Sequence, residues 1–221
     1  MTSLPDSAEF HAKRHAMVAS QLRTNAVSDA RVVAAMARVP RETFAPAEAR
    51  DLAYRDTAVP LGRGRSMNVP IATGRLLTEA AIMAGDKVLL IGAASGYTAA
   101  VLGELAASVV AVEEDADLAG IARDALTPWP NVELVEGPLT QGHAAGVPYD
   151  VLVIDGAVER VPAEILAQLR VGAHVATGLA DHGVTRLASG RKSAGGFGLF
   201  DFADVDCVEL PGFAAAKSFT F

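Results

Sequence analysis

Cysteine is nearly absent: Cys207 is the only one in 221 residues. A single thiol cannot close an internal disulfide, so a reducing compartment is the natural setting. Aromatic residues are scarce, at 5% of the chain, which removes the stacking surface that single-stranded nucleic acid needs. Positive charge is short as well. Lys and Arg number 19 against 26 Asp and Glu, a net charge of −7 that excludes a nucleic-acid backbone as main partner. Gly, Asp or Glu interrupts every apolar run well before the ~18 residues of a membrane span. Met1 to Phe10 is polar and lacks the apolar centre of a signal peptide. The expectation is a cytoplasmic protein with no nucleic-acid or membrane partner. His11, His15, His143, His174 and His182 show no H-E-x-x-H spacing, so no zinc site is expected. There is no internal repeat and no low-complexity linker; nothing speaks to oligomeric state.

What is present is a small-residue apolar content of 51%, mostly Ala, Val and Leu. Phe10, Met17, Val18 and Leu22 fall at helical spacing over residues 7–25. Ser28 is placed to cap a second helix bearing Val32, Val33, Met36 and Val39, which Pro40 stops. Prolines and glycines make residues 41–70 irregular, and a third helix over 71–84 is expected to close at Gly85.

Beyond residue 85 the rhythm changes. Strands at Val88–Ile91, Ser108–Val112, Val132–Glu136, Asp150–Ile154 and His174–Thr177 alternate with helices over 97–106, 116–126 and 162–169. Continuous apolar strands alternating with helices predict an α/β fold, a doubly wound and mostly parallel sheet covered on both faces. Phe197–Val208 and the tail to Phe221 read as further edge strands, and "RKSAGGFG" as the turn of a hairpin. The division expected is a helical, substrate-side subdomain (1–84) on a Rossmann-like core (85–221), forming one unit.

In such a sheet, ligands bind beyond the carboxyl ends of the strands, near the point where strand order reverses. The stretch "LLIGAASGY" (Leu89–Tyr97) lies there, as does Asp155-Gly156. So does Glu113, 21 residues after Gly92, where an acid can accept both hydroxyls of a ribose. A dinucleotide loop needs glycine at 92, 94 and 97, where this chain has Gly92, Ala94 and Tyr97. The G-x-G-x-G spacing keeps Gly92 and Gly96 and leans toward an S-adenosylmethionine (AdoMet) methyltransferase. Plainer readings stand beside these. Gly92 and Gly96 also serve a strand-to-helix turn, Glu113-Glu114-Asp115 the N-terminus of the next helix, and Asp155 a loop cap. Cys207 reads as a buried small residue, and "GRGRS" (Gly62–Ser66) as a flexible lid beside the pocket.

The segments "MVASQLRTNAVSDARVVAAMARVPRETFAP", "LAYRDTAVPLGRGRSMNVP", "VLLIGAASGYTAAVL", "VVAVEEDADLAGIAR", "NVELVEGPL", "PYDVLVIDGA" and "VPAEILAQLRVGAHV" follow one another in unbroken order. Together they resemble the protein-L-isoaspartate O-methyltransferases over roughly residues 10–178; after 180 the likeness fades. The resemblance implies a seven-stranded AdoMet methyltransferase sheet and a repair activity. A methyl group moves from AdoMet to the α-carboxylate of an isoaspartyl residue in a damaged protein. It also implies cofactor contacts at Val69, Pro70, Gly92, Ala94, Gly96, Tyr97, Glu113, Glu114, Pro138, Leu139 and Asp155.

The chain departs from the family at several of these places. Asn68, in "SMNVP", stands where the family has a serine two residues before the proline, and is the candidate catalytic position. Leu90 replaces an acid that helps hold the methionyl end of AdoMet. Ala94 replaces the middle loop glycine, and Pro138 an aspartate that accepts from the adenine amino group. Two lost hydrogen bonds to charged groups would cost about 3–6 kcal/mol, or roughly two to four decades of affinity. AdoMet held weakly, or lost, follows from these changes. Three functions stay open: an isoaspartyl carboxyl methyltransferase with weak or altered activity; a non-catalytic relative binding a protein or another nucleoside ligand; and a nicotinamide-dependent oxidoreductase, which the glycine spacing disfavours.

Overall fold

The computed structural model describes residues 8–214. The chain enters through α1 (Ala8–Met17), which continues as a wider turn through Leu22 and a tighter one through Asn25. α2 (Ala30–Arg38) starts one residue later than predicted, because Asp29 caps it in place of Ser28. The Asp29 carboxylate accepts from Arg31 N at 2.8 Å and also pairs with the Arg31 side chain, so its charge serves the helix N-terminus twice. Residues 41–70 are more regular than their prolines suggest. Two short 3-10 turns lead into a hairpin of β1 (Val59–Gly62) and β2 (Arg65–Met67). α3 (Pro70–Glu79) begins on its proline and stops well before Gly85, since Ala81 already takes a left-handed φ of 50°.

The remaining elements are β3 (Lys87–Ile91), α4 (Tyr97–Gly103), β4 (Ser108–Glu113), α5 (Ala116–Ala125), β5 (Val132–Glu136), β6 (Tyr149–Val158), α6 (Ala163–Ala167), β7 (Leu169–Asp181), β8 (Val184–Arg191) and β9 (Leu199–Ala203). Seven strands form one sheet in the order β5-β4-β3-β6-β7-β8-β9. β3 through β7 pair in parallel, while β8 and β9 add antiparallel at the edge. Strand order reverses between β3 and β6, so a crevice opens at their carboxyl ends.

Several boundaries differ from the sequence expectation. α4 ends at Gly103, short of residue 106, and α6 spans only Ala163–Ala167 because Leu169 already pairs with Tyr149 in the sheet. The strand expected at His174–Thr177 runs through Asp181 and turns directly into β8, which the sequence did not announce. Only Leu199–Ala203 of the expected 197–208 strand is paired as one. The tail expected as a strand lies outside the described residues from 215 on. Among the described residues no helix is long and apolar enough to cross a membrane.

The sheet's alternation divides the core. Val88 and Leu90 pack into a larger cluster that takes in α2, α3, α4 and the N-terminal turns. Leu89 and Ile91 pack on the other face with Tyr149, Leu152, Ile165 and Leu210. Cys207 is buried at the margin of the larger cluster, in an irregular segment.

Candidate active site

Parallel pairing of β3 and β4, with Ile91 opposite Val112, brings the end of β4 beside the loop that leaves β3. Glu113 is therefore held under the loop, and it is fully buried. Its Oε2 accepts from Ala94 N at 2.6 Å, and its Oε1 accepts from Glu114 N and Asp115 N, each at 3.0 Å. Arg65 of β2 then forks onto it: Nη1 donates to Oε1 at 2.6 Å and Nη2 to Oε2 at 2.9 Å. A carboxylate offers about four lone-pair sites. Five donors saturate this one, so Glu113, as arranged, has nothing left for ribose hydroxyls. The sequence expectation has the acid at the end of this strand but misses its partner 48 residues away. The same finding adds a contact to the expected lid. The tip "GRGRS" does stand beside the pocket, but Arg65 is buried, at 8% exposure.

The second centre lies at the switch between β3 and β6. Asp155 sits inside β6, not in the loop after it, and caps nothing. Its Oδ1 accepts from Asn68 Nδ2 at 2.8 Å, and its Oδ2 from the Thr98 hydroxyl at 2.5 Å. Loss of surrounding water pushes Asp155 above the usual carboxylate range, against the pull of those two donors and of the Arg41 and Arg65 charges. Asn68 also accepts from Val208 N at 2.8 Å, tying the C-terminal segment to the site.

Arg41, which sequence reasoning passed over, is fully buried here. Its Nε donates to Ala53 O at 2.7 Å, Nη2 donates to Asn68 O, and its guanidinium lies 4.5 Å from the Tyr97 ring centroid. Burial lowers the arginine's pKa and raises the tyrosine's. Arg41, Met67, Asn68, Ala93, Ala94, Ser95, Tyr97, Thr98 and Asp155 enclose a cavity of about 10 Å³, room for a single water.

The other expected residues divide between two places. Glu114 and Pro138 line an open trough of about 610 Å³ with Arg63, Arg65, Asp115, Glu136, Gly137 and Pro211. Gly96 precedes α4 and Tyr97 begins it, while Val69 and Pro70 start α3 and line neither the cavity nor the trough. Leu139 turns its side chain into the second apolar cluster. Gly92 lies beneath Leu210. Leu90 is fully buried in the larger apolar cluster and offers no charge to an ammonium group. Asp115, as the plainer reading had it, caps α5.

Whether these residues suit AdoMet is answered by their unmet hydrogen-bonding capacity. Ser95 Oγ is buried without a hydrogen-bond partner, and it lines the small cavity beside Arg41 and Tyr97, whose side chains interact with each other. Leaving such a group unpaired costs about 1–3 kcal/mol, so the cavity is built for a polar occupant. A buried acid at the end of β4 and an open trough beside it complete a place for a nucleoside with a charged amino-acid end. These features fit the cofactor in kind, while Arg65 occupies both oxygens of Glu113.

Known proteins agree with this architecture. A family model described as Protein-L-isoaspartate(D-aspartate) O-methyltransferase (PCMT) matches residues 12–202. Protein-L-isoaspartate O-methyltransferase 1 of Rhodopseudomonas palustris (strain HaA2) is 36% identical over 211 residues, covering 94% of this chain and 86% of that one. A solved protein-L-isoaspartate O-methyltransferase superposes with a TM-score of 0.79 at 22% identity, covering 90% of this chain and 66% of the other. A second structure is described as a putative protein-L-isoaspartate O-methyltransferase from Plasmodium falciparum in complex with S-adenosyl-L-homocysteine. It superposes with a TM-score of 0.74 at 16% identity, covering 89% of this chain and 97% of that one. The fold is the Rossmann-like methyltransferase fold, and the chain belongs to the protein-L-isoaspartate O-methyltransferase family.

Proposed function

We propose that this chain methylates the α-carboxylate of isoaspartyl residues in damaged proteins, using AdoMet, in the cytoplasm. The observation that carries the reading is the buried Glu113 carboxylate beside the Gly92–Gly96 loop, in a chain of this family. The relatives' shared name and the S-adenosyl-L-homocysteine bound by one structural neighbour support it.

Bound AdoMet supplies an electrophilic methyl group on a sulfonium. The acceptor carboxylate is already ionised at neutral pH, so the chain needs no general base. Its residues have to align the acceptor and keep water out. The residues lining the small cavity serve the first. Asn68 and Thr98 hold Asp155 in place, and Arg41 adds a positive charge to the lining of the same cavity. Residues 1–84 supply Arg41 and Asn68 and form the substrate side.

The test is methyl incorporation into an isoaspartyl peptide, with the aspartyl peptide as control. Transfer to the isoaspartyl form alone is expected. No transfer at millimolar AdoMet, together with no binding of S-adenosyl-L-homocysteine by calorimetry, would overturn the assignment. It would favour the second reading, a non-catalytic relative, for which the saturated Glu113 is the specific support.

A further inference from the structure

We infer that the β1–β2 hairpin is a latch, and that Arg65 is an internal competitor for the ribose site which sets cofactor affinity. The inference rests on the cofactor reading above and deepens it.

Arg65 takes both oxygens of Glu113 in a fork, the geometry in which arginine binds carboxylates most strongly. The pair is buried on both sides, so water screens it little. Ribose hydroxyls and the guanidinium therefore compete for the same lone pairs. On release, Glu113 is not stranded, because the Ala94, Glu114 and Asp115 amides still donate to it.

The hairpin is built to let go. Among the described residues β1 and β2 pair only with each other, so the tip can tilt without breaking the seven-stranded sheet. Gly62, Arg63 and Gly64 all take left-handed φ values (88°, 52° and 73°), and no atom lies within 4 Å of a Cβ built on either glycine. The tip is thus unpacked at its two glycines, the residues that tolerate a change of φ most readily. Arg63 pairs with Asp117 and lies 4.0 Å from Asp115, but its side chain is 67% exposed, so this second contact holds weakly. The trough beside Arg65 gives the guanidinium space, and Glu114, Asp115 and Glu136 on its wall are acids to receive it. A binding-competent state that is only fractionally populated weakens apparent affinity by that fraction.

The experiment is calorimetric titration of the wild type, R65Q and R65A with S-adenosyl-L-homocysteine. R65Q and R65A are expected to bind at least tenfold more tightly. Hydrogen exchange of residues 62–66 in the wild type should rise when the ligand is added, a readout that needs no variant to fold. Equal or weaker binding by folded Arg65 variants, or unchanged exchange in a wild type that binds, would overturn the latch and leave the proposed function standing. If neither wild type nor variants bind at millimolar ligand, the cofactor reading itself falls and takes the latch with it.

Discussion

Asn68 donates from Nδ2 to Asp155 Oδ1 at 2.8 Å while its own Oδ1 accepts from Val208 N at 2.8 Å. One amide thus joins β6, the turn into α3 and the C-terminal segment, with partners 87 and 140 residues further along the chain. Asn68→Ala strips a partner from two groups at once. A buried group left unsatisfied costs about 1–3 kcal/mol, so the variant should lose about 2–6 kcal/mol in urea unfolding. Asn68→Ser restores the residue the family resemblance calls for, but a hydroxyl is too short to reach both partners. It should recover about half the loss. An Ala variant as stable as the wild type would refute this account of the site.

Asp155 gives a pH dependence opposite to that of most carboxylates. Burial raises its folded pKa above the ordinary value of 3.8. Between those two values the folded chain holds the proton and the unfolded chain has released it. Stability therefore falls as pH rises through that window and stays lower above it. Asp155→Asn removes the titration. Its Oδ1 can still accept from Asn68, and its amide can donate to the Thr98 oxygen, whose hydroxyl rotates. The variant should be more stable than wild type at pH 8, with the gap closing toward pH 4. A gap of the other sign, constant with pH, would show that the ionised carboxylate is the preferred form.

Arg14 and Glu42 form an ion pair at 3.1 Å with side chains about 5% exposed, and Tyr54 completes it by donating its hydroxyl to Glu42 and accepting from Arg14 Nε at 2.8 Å. This network pins α1 to the turns that carry Arg41, so it reaches the site through Tyr54, which also accepts from Arg41 N at 3.1 Å. Breaking a buried pair by removing one partner typically costs about 3–5 kcal/mol. Glu42→Ala should fall in that range by denaturant unfolding, and Glu42→Gln, which keeps an acceptor for Tyr54, should lose less. A loss under about 1 kcal/mol for Glu42→Ala would mean the pair is not holding the N-terminal layer.

The parts of this site legible in the sequence are those set by local pattern. β3, β4 and β6 announce themselves because strands buried on both faces are continuously apolar, and strand-end geometry puts Glu113 and Asp155 at the crevice. The partners are another matter. Arg65 follows a glycine-rich turn, where a charged residue normally stays in water, and only folding shows that it turns inward to Glu113. Arg41 is similarly hidden, since nothing in "VPRETF" marks an arginine bound for full burial. β8 escaped for a related reason: Thr185, Arg186, Ser189 and Gly190 break its apolar run, while the pairing with β7 that makes it a strand is a tertiary fact.

The C-terminal segment crosses the crevice by pairing with β6: Ala157 N donates to Val208 O at 2.7 Å and Leu210 N to Ala157 O at 2.9 Å. Gly156 lies directly beneath it. A Cβ there would overlap Leu210 Cγ and come within 2.9 Å of Val208 O. The leucine tip can move aside, but the Val208 carbonyl is held by its own hydrogen bond. Gly156→Ala should therefore lift the segment, losing about 1–3 kcal/mol as overpacked sites do. Proteolysis within residues 204–214 should quicken in parallel. Leu210→Ala relieves only the side-chain part of the clash. The double variant should be less destabilised than the sum of the two singles by at least about 0.5 kcal/mol, the mark of residues in contact. Strict additivity in that cycle, with unchanged proteolysis in Gly156→Ala, would mean that the segment does not lie on β6 in solution.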